Sequence, residues 1–233
     1  MTAISRALCI ALVCVCGSAL AQTAPDRRGE YTTPDDAGRS LNAPIPAEYH
    51  IRNEGGSDGA GLCVIASLVI NGASQGIADF GRLKDSRLWR AAKARPGGYS
   101  PEKLEALLKE LYPGLEWASI ETDDPELIRK YSRAGYAVAN TMNTGRQYGY
   151  MPIHHFVSTS HADASISCFI DNNDPGVWHW MPAAEQDRRF PDGGTGWLFV
   201  WLARPDYGSW VLAAGILAAA VVVAIGGRSW RTV

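Results

Sequence analysis

The apolar positions of this chain fall into three regimes. In the first, one basic residue, Arg6, precedes an apolar stretch that ends at a small-x-small triplet, Ala19-Leu20-Ala21. That is the shape of a cleaved secretory signal, predicted over residues 1–21. In the last, residues 208–227 carry no charge and consist mainly of Ala, Val, Leu and Ile. As a helix this stretch would be about 30 Å long, the thickness of a bilayer's hydrocarbon core. Trp210 and Trp230 lie near its two ends, where interfacial aromatics belong, and Arg228 and Arg231 follow it directly. The positive-inside tendency then predicts a cytoplasmic tail at residues 228–233, with everything before the span outside. Both ends imply an exported, membrane-anchored protein.

The middle regime has the mixed periodicity of a folded domain. Residues 22–46 are rich in Pro, Asp, Gly and Thr without apolar periodicity and read as a disordered linker. Residues 47–203 are long enough for one domain. A glycine-rich turn, GGSDGAG at 55–61, runs into the apolar LCVIASLVI, which predicts a buried helix from Leu62 or Cys63 to about Asn71-Gly72. Ser100-Pro101-Glu102 supplies an N-cap, a first-position proline and a first-turn acid, and Leu104, Leu107, Leu108 and Leu111 form one stripe of an amphipathic helix. Asp124-Pro125-Glu126 opens another helix, which Gly135 closes. Strand patterns follow at 136–142, 155–160, 165–170 and 197–202. Helices first and neighbouring antiparallel strands last predict an α+β domain.

Charge adds an exclusion. The formal net charge is −2, and no P-loop or dinucleotide fingerprint is present, so nucleic acid is not an expected partner. Cysteine narrows the chemistry further. Of five cysteines, Cys9, Cys14 and Cys16 lie in the signal, leaving Cys63 and Cys168. In an oxidising compartment a disulfide between them is one reading.

The other reading is a thiol nucleophile. Cys63 stands at a helix start after flexible glycines, where aligned N–H groups and the helix dipole favour a thiolate. The segment HHFVSTSHADASISCFIDNN, residues 154–173, reads as a β-hairpin centred near Asp163, which places His155 opposite Asp171. Side-chain alternation puts Val157, Ser167 and Phe169 on the face of that pair, and Cys168 with Phe156 on the other. In this constellation Cys63 attacks an acyl carbon, His155 transfers the proton, and Asp171 fixes the ring, with Asn172 as an alternative third member. The spacing of His154, His161 and His179 matches no usual zinc pattern, and Trp178, Trp180 and Trp197 read as core or as cover for the pair. No cofactor is expected.

These residues resemble the papain-like cysteine peptidases: Cys at a helix start, His opening a strand as H-aromatic-Val, and Asp sixteen residues later. The nearest branch is the compact bacterial one that contains double-glycine leader peptidases. The resemblance implies helices packed on an antiparallel sheet, a site at their seam, and hydrolysis of a peptide or protein substrate. It also implies an oxyanion donor, usually a glutamine six residues before the cysteine. Ser57 stands there, and Asn53 is the nearest substitute amide. Val64 replaces the aromatic that often follows the nucleophile. Two other functions fit the same residues: a non-catalytic binding module, and an acyl transferase.

Overall fold

A computed structural model describes residues 41–56, 58, 60–143, 154–191 and 195–202. The predicted signal, membrane span and cytoplasmic tail lie outside these residues, as does most of the linker. Among the described residues no helix is long and apolar enough to cross a membrane.

The domain is α+β. Its helices are α1 (Cys63–Ser74), α2 (Arg87–Lys93), α3 (Pro101–Leu111), α4 (Glu126–Arg133) and α5 (Ala183–Arg189). Six strands, β1 (Trp117–Thr122), β2 (Val138–Asn143), β3 (His154–Ala162), β4 (Ile166–Ile170), β5 (Trp178–Pro182) and β6 (Gly196–Trp201), form one sheet in the order β1-β6-β2-β3-β4-β5. All its pairings are antiparallel. Helices α1, α2 and α3 join the core that holds Ala139, Phe156, Ile170, Phe199 and Trp201. Ile128 of α4 and Phe190, just past α5, pack with Val138, Leu198 and Val200, which alternate with that set and so face the other way. Because both faces are covered, β4 and β6 are buried throughout, which is why they read as continuous apolar runs.

The capping signals hold. Ser100 Oγ accepts from the Lys103 N–H at 3.3 Å with Pro101 in first position, and Gly135 closes α4 with φ of 86°. Helix α1 differs from its expectation at the far end, running through Gly72 to Ser74. Gly72 is needed there for a packing reason: a Cβ would lie 2.1 Å from Phe80 Cδ2, so the helix admits the ring only where it carries no side chain.

The expected linker also needs correction at its end. Leu41, Ala43 and Ile45 are buried and alternate with more exposed neighbours, while the Ala43 N–H donates to Ser160 O at 2.8 Å. Three inward apolar residues at period two give residues 41–46 enough buried surface to order them.

The hairpin differs from expectation in register. Asp163 Oδ1 accepts from the backbone N–H groups of Ser165 at 2.7 Å and Ile166 at 2.8 Å, making a longer turn than one centred on Asp163. Ala162 therefore faces Ser167 and His161 faces Cys168. That odd offset would put His155 and Asp171 on opposite faces of the ribbon. A bulge between Thr159 and His161 adds one residue to β3, after which Thr159 faces Phe169 and Ser158 faces Ile170. Phe156 and Ala162, both even-numbered, accordingly pack in different cores. The bulge returns His155 and Asp171 to one face.

The Gly72 contact yields a stability test. Gly72→Ala is expected to destabilise the domain by about 2–3 kcal/mol, as overpacking does in a filled core, despite the better helix propensity of alanine. Urea unfolding measures it.

Candidate active site

Strand β4 ends at Ile170, so the backbone of β3 beyond Ser158 has no partner residue on that side. The N-terminus of α1 fills the gap. The backbone of Phe156 is near enough to the Cys63 sulfur to lower the thiol's pKa. The Phe156 carbonyl accepts from Ser67 Oγ at 3.0 Å and Asn172 Nδ2 at 2.8 Å. Helix α1 has no side-chain cap at Leu62. The backbone of Cys63 and Val64 at the helix start also acts to lower the thiol's pKa.

On the opposite face of the ribbon His155 Nε2 lies 2.9 Å from Asp171 Oδ1, with both side chains buried. Asp171 Oδ1 also accepts the Asn173 N–H at 2.7 Å, while buried Oδ2 has no hydrogen-bond partner among the described residues. Burial holds the imidazole pKa down to about 4. It pushes the Asp171 carboxyl up to about 6, against the Asn173 N–H and with help from the Asp174 charge. At neutral pH the pair is thus a neutral ring against an ionised carboxylate. Nε2–H then donates to Asp171, and the basic lone pair sits on Nδ1.

The thiol departs from the expectation of a favoured thiolate. Burial raises its pKa, the hydrogen bonds from Phe156, Val64 and Cys63 lower it, and the Asp171 charge raises it again. Burial prevails because the half-exposed sulfur is enclosed by the helix–sheet seam. At neutral pH the thiol, like the ring, is uncharged.

Asn53 lies beside the nucleophile. Its Oδ1 accepts the Leu62 N–H at 2.8 Å, its Nδ2 donates one hydrogen to Asn173 Oδ1 at 3.2 Å, and its backbone N–H donates to Asn172 O at 2.7 Å. Asn172 faces α1 and not the ring, binding Cys63 O at 3.1 Å and Ser67 Oγ at 3.0 Å. Position 57 lies outside the described residues. Ser67, which the sequence reading passed over, is the polar residue inside the apolar run of α1, one turn after Cys63; that interruption was its signal.

The tryptophans sit in the main core, where Trp178 packs on His50, Trp180 on His161 and Trp197 on Phe156. Among the described residues no group of three or more His, Cys, Asp or Glu side chains is arranged to hold a metal ion. Cys63 and Cys168 are not joined in a disulfide, and Cys168 is wholly buried in the core. The chain matches no family model and no curated protein.

A peptide map of the non-reduced chain is expected to recover Cys63 and Cys168 as separately alkylated peptides. A linked peptide would remove the nucleophile.

Proposed function

We propose that the domain is a papain-like thiol hydrolase that cleaves peptide or related amide bonds through Cys63, His155 and Asp171, held on the extracytoplasmic side of a membrane by residues 208–227. The observation that carries this reading is the 2.9 Å bond from His155 Nε2 to Asp171, with the helix that begins at Cys63 docked through Ser67 on the adjoining residue, Phe156.

The chemistry follows from the protonation states. His155 Nδ1 takes the thiol proton as the sulfur attacks the acyl carbon, so charge develops on the ring only where Asp171 can stabilise it. The oxyanion forms against the backbone N–H of Cys63, with the second amide hydrogen of Asn53 as the other donor. The C–N bond breaks as the ring returns the proton to the leaving amine. Water, deprotonated by the same nitrogen, then hydrolyses the thioester and restores the thiol.

A second reading, a non-catalytic binding module, draws on the raised thiol pKa and on Ser57 in place of glutamine. Alkylation separates the two. In the full-length chain, His155→Ala should slow iodoacetamide alkylation of Cys63 at pH 7 by about 10- to 100-fold, and Asp171→Ala should slow it in the same direction. Equal rates in parent and His155→Ala favour the binding module.

The pH dependence has a definite sign. As pH falls through about 6, the His155–Asp171 pair takes up its first proton and the base is lost. The His155-dependent share of the rate should therefore rise with pH through about 6 and level off above it. A resting thiolate–imidazolium pair would instead keep its reactivity down to about pH 4.

A further inference from the structure

We propose that Asn172 is a positioning residue, whose carboxamide ties the first turn of α1 to β3 and so sets the separation of the Cys63 sulfur from the His155 ring. This rests on the thiol hydrolase reading.

Its side chain is fully buried at the seam. Nδ2 approaches three oxygens: Phe156 O at 2.8 Å, Ser67 Oγ at 3.0 Å and Cys63 O at 3.1 Å. Two of these are the carbonyls of the residue that bears the sulfur and of the residue next to the imidazole. Ser67 Oγ reinforces the link by donating to Phe156 O at 3.0 Å, and Ser158 Oγ donates to Ser67 O at 3.4 Å. All three partners of Nδ2 accept, which fixes the amide orientation. The other end of the group shows what the position is for. Among the described residues buried Asn172 Oδ1 meets no hydrogen-bond donor, so the contacts on this face of α1 are made by the nitrogen. The Asn172 carbonyl meanwhile accepts the Asn53 N–H at 2.7 Å, so one residue gathers the segment before the nucleophile, the nucleophile's helix and the histidine's strand.

Asn172 touches neither the reacting sulfur nor the ring; it acts through the backbone of both. Its loss is expected to let α1 shift against β3, and a displacement of about 1 Å at a reacting pair lowers rates by on the order of 100-fold.

The test is the ratio of iodoacetamide alkylation rates at Cys63 with His155 present and replaced by alanine, read by mass spectrometry of the Cys63 peptide from the full-length chain in detergent. In the parent this ratio is about 10–100 on the hydrolase reading. In the Asn172→Ala background it should fall below about 3, with near-UV circular dichroism retained. A folded Asn172→Ala protein that keeps the parent ratio overturns the positioning role alone. A parent ratio of one overturns the hydrolase reading and the positioning role together. If Asn172→Ala does not fold, Ser67→Ala decides: it leaves Asn172 its two carbonyl bonds and should lower the ratio by about 3-fold, and an unchanged ratio rejects the proposal.

Discussion

The site depends on one strand ending before its neighbour. Because β4 stops at Ile170, the N–H and C=O of Phe156 need partners from outside the sheet. Asn172 and Ser67 take the acceptor, and the Phe156 backbone acts on the Cys63 thiol to lower its pKa. The same gap that would leave backbone groups unsatisfied therefore docks the helix. That docking brings the start of α1, which carries Cys63, to the strand that carries His155.

Burial then sets the electrostatics. A helix N-terminus offers the sulfur aligned N–H groups, yet enclosure in the seam raises the thiol pKa on balance. Enclosure also lowers the pKa of the ring and raises that of Asp171. All three shifts favour uncharged forms. At neutral pH the ring and the thiol are uncharged, and Asp171 alone carries charge.

Much of this was legible in the sequence, for identifiable reasons. Caps at Ser100 and Gly135, and the apolar run after Cys63, are local signals, and the corresponding elements form. Strand β1 was not legible, since WASIET is half-buried along nearly its whole length and shows no alternation. Strand β5 was read as tryptophans and not as a strand, and the short helices α2 and α5 have too few turns to display a period. The juxtaposition of His155 and Asp171 was anticipated from a simple hairpin, although the actual ribbon reaches it by a longer turn and a compensating bulge. Neither device can be counted from a pattern of polar and apolar residues, because each depends on backbone geometry. The orientation of Asn172 toward α1 was hidden for the same cause.

That bulge has a consequence for how the chain could tolerate changes in length. Losing or gaining one residue in the ribbon would turn β3 over relative to the segment after β4, presenting the imidazole with Asn172 in place of the acid. The run Asp171-Asn172-Asn173 offers an oxygen acceptor in either frame. A single-codon deletion or insertion here would exchange a charged ring partner for a neutral one without redesigning the strand.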